Sequence, residues 1–197
     1  LTFANGLRSI LRQDPNIIMV GEIRDSATAG LAVNTALTGH LVMSTLHANN
    51  AATTLPRMLD LGVEPYLVAA TVNLSIGQRL VRKICGHCRE KHALTPSEQK
   101  SLNEIKNLSS QFEKNFQIWR GKGCENCNNS GYLGRVGIYE IIEVDESIRN
   151  AMLQKCSSDE INKIAMEHGM KTMVEDGLNK VKDGITTMTE VLRVIHE

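Results

Sequence analysis

This sequence has no excess of positive or of negative charge. Lys+Arg and Asp+Glu each number 22 in 197 residues, so there is no electrostatic case for nucleic acid or a membrane surface as partner. Aromatic residues make up 4%, too few for a base-stacking platform. No apolar run is long enough to span a bilayer, and no signal-peptide pattern opens the chain. The first residue is Leu, not Met, and the chain opens inside a motif region, so it reads as a fragment. A hydrophobic content of 42% suits a soluble globular protein, large enough for one domain with an appendage or two small ones. Five cysteines without a secretory signal favour metal ligation over disulfides and place the chain in the cytoplasm.

What is present begins with Ile17-Ile18-Met19-Val20, an unbroken apolar run that reads as a strand covered on both faces. Gly21 lets the backbone turn at its C-terminal end, and Glu22 projects a carboxylate there. That edge is where open α/β sheets bind ligands. A carboxylate so placed can orient a water for attack on a γ-phosphate. The same residues also fit a core strand followed by a solvated turn.

The elements around it alternate. A helix is expected over Leu7–Arg12, with Arg8 and Arg12 on one face and Pro15 ending it. Another is expected over about Ser26–Leu37, stopped by Gly39. His40 to His47 has strand character; their odd separation sends the two imidazoles to opposite faces and puts Thr45 on the face of His47. Asn49 or Asn50 caps a helix toward Leu61, with Pro56 inside it. Pro65 opens a further helix to about Leu80. This β–α–β–α rhythm predicts a parallel α/β sheet. Composition shifts at Val81, and the sequence divides into segments 1–80, 81–136 and 137–197. The last holds a short strand over Gly137–Val144 and then short helices. Ser157-Ser158-Asp159-Glu160 and Thr187-Met188-Thr189-Glu190 fit the capping-box pattern, and Gly169 and Gly184 fit helix stops.

Cys85-Gly-His-Cys88 and Cys124-Glu-Asn-Cys127 are two knuckles, each presenting two thiolates. Four thiolates make the closed tetrahedral shell of structural Zn2+, with no open position for catalysis. The long gap between the pairs predicts a helical insertion over the polar stretch Ser97–Lys114. His87 and His92 are spare ligands. Arg82, Lys83, Arg89 and Lys91 would offset the cluster's negative charge. Cys156 reads as a small buried residue. The alternatives are a redox dithiol or two unrelated thiol pairs.

Three stretches, Leu7–Pro15, Gly21-Glu22-Ile23-Arg24-Asp25 and Thr38–Asn50, together with the cysteine tetrad, resemble the secretion ATPase superfamily over essentially the whole chain. The closer resemblance is to the type II secretion and type IV pilus assembly ATPases (GspE/PilB type); the tetrad argues against the pilus-retraction branch. The resemblance implies the C-terminal part of a RecA-like P-loop NTPase core over 1–80, an inserted four-cysteine zinc module over 81–136 and a mainly helical subdomain over 137–197. Glu22 becomes the glutamate of an atypical Walker B motif in which Gly21 stands where many P-loop ATPases carry Asp. His40 and His47 become the His box, with Thr45 and His47 the preferred pair near the γ-phosphate. Arg8, Arg12 and Arg24 become candidates for transition-state or inter-subunit charge contacts. The family's P-loop, Gly-x-x-x-x-Gly-Lys-Ser/Thr, and its acidic Asp box are absent from these residues. The expectation is therefore half a site for ATP and Mg2+, inactive alone. The whole protein would be a hexameric homo-oligomer, peripheral to the inner membrane through a platform protein. It would power pilin or pseudopilin assembly in type IV pilus, type II secretion or DNA-uptake systems. Two alternatives remain open from sequence: a zinc-containing partner-binding module, and an inactive assembly subunit.

Overall fold

In a computed structural model, residues 6, 9–96, 98–100 and 117–196 are described. They form two compact units: Leu1–Gly77 with Ile141–Met170, and Gln78–Glu140 with Lys171–Glu197. The sequence segment 137–197 is thus shared between the units.

In the first unit, β1 (Ile17–Val20) and β2 (Leu41–Ser44) pair in parallel, Ile17 opposite Leu41 through Val20 opposite Ser44. A parallel pair needs a crossover, supplied by α1 (Ser26–Leu37). Asp25 caps it: its carboxylate accepts from the Thr28 amide at 2.8 Å and the Thr28 hydroxyl at 3.1 Å, satisfying donors that a helix start leaves bare. Gly39, at φ +95°, ends it in a conformation that costs glycine little. Asn50 caps α2 (Ala51–Asp60), and the helix runs on through Pro56. Then come α3 (Pro65–Thr71), α4 (Glu146–Leu153) and α5 (Ser158–Glu167). Ile18 and Val20 share one core with Ala29 and Val33 of α1, Leu55 of α2, Val68 of α3, Ile148 and Met152 of α4 and Ile161 of α5. Cys156 packs half-buried against it.

Two expectations need correction. Strand β1 is covered on one face only: Ile17 and Met19 are 60% and 74% exposed while Ile18 and Val20 are buried. Side chains alternate across a strand, and the described helices pack against only one side. With their exposed partners Leu41 and Met43, Ile17 and Met19 form an apolar strip. The helix from Pro65 stops at Thr71, and Leu74–Ile84 is the strand β3. Leu74, Ile76 and Leu80 keep one parity along it, as on one face of a strand.

Strands β3 and β6 (Tyr132–Glu143) pair, and each runs from one unit into the other. The second unit adds an antiparallel pair, β4 (Arg89–Ala93) and β5 (Gln117–Gly121), and two helices, α6 (Met173–Lys182) and α7 (Met188–His196). Ile118 packs with Leu178, Val181, Met188 and Val191, and Val81 with Ile138, Met173 and Val194. The helical insertion expected over Ser97–Lys114 lies mostly outside the described residues.

The capping box at Ser157 and Glu160 forms as read. At Thr187, the Glu190 amide donates to the Thr187 hydroxyl at 3.3 Å, but the Glu190 carboxylate serves a different purpose. It is 1% exposed and accepts from the Arg82 amide and guanidinium, 3.0 and 2.7 Å, and from Arg193, 3.1 and 3.2 Å. Burial opposes its ionisation, but the two guanidiniums outweigh burial and bring its pKa down to about 2. A pKa lowered by folding stabilises the fold above the unfolded value, about 4.3, and that stabilisation is lost as pH falls toward 2. Glu190→Gln should cost about 1.5–3 kcal/mol at neutral pH, since Arg82 and Arg193 are half exposed and water can solvate them. In urea unfolding across pH 2–7, wild type should lose a component of stability below about pH 4.5 that the variant lacks.

Candidate functional site

The C-terminal edge of β1 and β2 brings Glu22, Arg24, Thr45 and His47 together. Strand pairing ends at Val20 and Ser44, and the chain leaves each strand as loop, with a bend at Gly21. The Glu22 carboxylate receives Arg24 Nη2 at 2.7 Å and His47 Nε2 at 3.1 Å. The Arg24 guanidinium holds the Glu22 carboxyl below its ordinary value against the opposing effect of burial, and His47 contributes less. Glu22 is therefore an anion throughout the neutral range, an acceptor able to fix a water by its proton. The Thr45 hydroxyl donates to the Gly21 carbonyl at 2.7 Å, and the Ile23 amide donates to the Thr45 carbonyl at 2.9 Å.

His40 is not part of this group. The strand is shorter than the His40–His47 stretch, and both histidines fall outside it: His40 just before Leu41, His47 three residues past Ser44. Parity along a strand thus does not set their directions. They lie at opposite ends of β2, whose four residues alone rise about 13 Å. His40 Nδ1 instead meets the Thr38 hydroxyl at 3.1 Å and the Thr35 carbonyl at 3.2 Å, securing the end of α1. Arg12 is exposed in a turn after a helical stretch at residues 9–11. Arg8 lies outside the described residues.

The second cluster is Cys85, Cys88, Cys124 and Cys127, whose four sulfurs lie within 4.8 Å of one another. Cys85 follows β3 directly, and Cys88 closes the turn before β4, its amide donating to the Cys85 carbonyl at 3.3 Å. Cys124 precedes a 3-10 turn, Glu125–Cys127. The knuckles are tied together by the Cys85 amide on the Gly131 carbonyl, 2.9 Å, and the Lys122 amide on the Cys88 carbonyl, 3.0 Å. Only glycine fits where they cross: a Cβ on Gly121 would stand 2.0 Å from the Gly131 carbonyl oxygen, and Gly131 itself has φ +76°.

Sulfur separations are 3.9 Å for Cys85–Cys124 and for Cys88–Cys127, and 3.7 Å for Cys124–Cys127. Tetrahedral zinc with Zn–S near 2.3 Å places its sulfurs about 3.8 Å apart. Amides of Gly123, Cys124 and Gly131 donate to the sulfurs of Cys88, Cys127 and Cys127 at 3.3, 3.2 and 3.3 Å, as thiolate ligands require. Burial pushes the Cys88 thiol up to about 12. At Cys127, burial is outweighed by the Cys124 and Gly131 amides, which draw it down to about 6. Four thiolates this close would repel one another, and a metal cation among them would offset that repulsion, so the cluster could hold one. His92 bonds the Ala93 carbonyl instead. The neighbouring cations have other partners: Arg82 engages Glu190 and stacks 4.2 Å from the Tyr132 ring centre, and Arg89 and Lys91 lie over Trp119. Sequence reasoning missed the aromatic partners because they lie far along the chain.

The family model for Type II/IV secretion system proteins matches residues 1–193. The chain is 48% identical over 192 residues to the type IV pilus assembly ATPase PilB of Thermus thermophilus, covering 98% of this chain and 21% of that protein. It is 44% identical over 197 residues to the type II secretion system protein E of Aeromonas hydrophila, covering 100% of this chain and 38% of that one. It therefore spans well under half of either relative. Among solved structures, the pilus retraction motor PilT with bound ADP superposes with a TM-score of 0.65 at 26% identity, over 98% of this chain and 43% of that one. The ATPase DotB of Legionella pneumophila shares the fold at TM-score 0.63 and 24% identity, over 99% and 42%. The chain belongs to the type II/IV secretion system protein family.

Proposed function

We propose that this chain supplies the water-positioning half of the nucleotide site of an ATPase motor that drives pilin or pseudopilin assembly. The observation that carries the reading is the Glu22 carboxylate at the sheet's C-terminal edge, bracketed by Arg24 and His47. Its support comes from relatives named as a type IV pilus assembly ATPase and a type II secretion system protein.

In this reading Glu22 orients the attacking water, a task of placement and charge. Arg24 and His47 hold the carboxylate until nucleotide arrives, and either can then turn to the phosphates. Arg8 and Arg12 are further candidates for phosphate or inter-subunit contacts. His40 has no part in the chemistry and secures the turn into β2. Mg2+, bound with ATP, would neutralise phosphate charge. Gly21 offers it no carboxylate, so its protein ligand must come from a P-loop hydroxyl elsewhere. The phosphate-cradling amides and lysine also lie elsewhere in the whole protein, and the chain alone is expected to be inactive.

The apolar strip of Ile17, Met19, Leu41 and Met43 is where the remainder of the RecA-like core would pack. The four cysteines would hold a structural Zn2+ in the segment 81–136, which the first segment (1–80) and the third (137–197) flank. The whole protein is proposed to work as a homo-oligomeric ring, a hexamer, on the cytoplasmic side of the inner membrane against a platform protein. No helix among the described residues is long and apolar enough to cross a membrane. The test is Mg2+-dependent ATP turnover by the whole protein, present in wild type and lost in Glu22→Gln.

A further inference from the structure

We infer that Thr45 is a positioning residue that sets the Glu22 carboxylate through the backbone, and does not read the γ-phosphate. The inference rests on the ATPase reading above and assigns this residue its role within it.

Thr45 bonds the residue on each side of Glu22. Its hydroxyl donates to the Gly21 carbonyl at 2.7 Å, and its carbonyl accepts from the Ile23 amide at 2.9 Å. Glu22 is thus suspended between two bonds to one residue of the neighbouring strand's extension. A threonine hydroxyl has one proton to give. Spent on Gly21, it is not available to a phosphate oxygen, which can only accept.

A clamp is needed because of Gly21. Glycine is the residue whose backbone is least confined, and it sits just past the last paired residue, Val20. A Cβ built on Gly21 would meet nothing within 4 Å, so side-chain packing does not restrain this turn. The Thr45 hydroxyl supplies the missing restraint. Arg24 and His47 then aim a carboxylate whose backbone is already fixed. An error of 1 Å in placing a catalytic group can cost about 10²-fold in rate, so a single hydroxyl acting at one remove can matter.

Thr45→Val keeps the shape and removes the donor; Thr45→Ser keeps the donor. In the whole protein, Thr45→Val should lower kcat for ATP about tenfold with KM within twofold of wild type, while Thr45→Ser stays within about threefold in both. Hydrogen exchange should show the Ile23 amide, bonded to the Thr45 carbonyl, opening faster in Thr45→Val than in Thr45→Ser or wild type. A rise in KM with kcat unchanged would overturn the inference in favour of direct phosphate contact. Unchanged exchange, or Thr45→Ser failing as badly as Thr45→Val, would also overturn it. Wild-type protein without Glu22-dependent turnover would instead sink the ATPase reading, and the exchange result would still decide whether Thr45 holds the turn.

Discussion

Glu22→Gln in the whole protein should bind ATP as wild type does and turn it over at least 10²-fold more slowly, the scale on which a positioned base contributes. The amide keeps the size of the side chain but loses the charge and one acceptor. The remaining oxygen is neutral and a weaker acceptor, both for Arg24 and for a water's proton. Arg24 at 2.7 Å and His47 at 3.1 Å would lose their anionic partner, but both are exposed side chains that water can solvate. Thermal stability should therefore stay near wild type, which separates this variant from a folding defect. Binding by titration calorimetry and turnover by phosphate release are the two readouts. If turnover persists in Glu22→Gln, the water is held by another group and the assignment of Glu22 is wrong.

Removing the metal from the four-cysteine cluster should have the larger effect on the fold. Structural zinc contributes roughly 10–16 kcal/mol of apparent binding free energy, more than the whole stability of a typical domain. In this chain the loss would fall on the two knuckles and on what they anchor: the Cys85 amide on Gly131, the Lys122 amide on Cys88 and the Gly121–Gly131 crossing. Metal analysis should find one zinc per chain, and Cys88→Ser or a strong chelator should remove it. The β4–β5 amides should then lose exchange protection, while the core around Leu55, Val68 and Ile148 in the other unit keeps it. Acid should release the zinc, because each thiolate competes with a proton. Retention of full protection without metal would make the cluster a set of ordinary thiols.

Much of this was written locally in the sequence. Asp25, Asn50 and Ser157 cap their helices through bonds that span three residues, so nearby residue types suffice to place them. The cysteine pairs are legible for the same reason, since each knuckle is a four-residue turn. What failed depends on partners outside the window. Residues 74–80 fall inside the stretch that Pro65 opens as a helix, and it is the pairing of β3 with β6 that makes them strand. The exposed face of β1 was illegible because an apolar run does not say how many faces this chain itself covers. Glu190 fits a capping box by spacing, yet its carboxylate belongs to Arg82, 108 residues away. The Glu22–Arg24 contact is local, whereas the separation of His40 from His47 turned on where β2 begins and ends. Periodicity fixes such limits poorly.

The most direct measurement is a calorimetric titration of Mg2+–ATP into this 197-residue chain and, in parallel, into the whole protein. The whole protein should bind with micromolar affinity, and this chain should give no binding heat in that range, since it carries the carboxylate but no phosphate cradle. Micromolar binding to the chain alone would mean that the nucleotide is held by residues already described, and that Glu22 does not mark one half of a divided site.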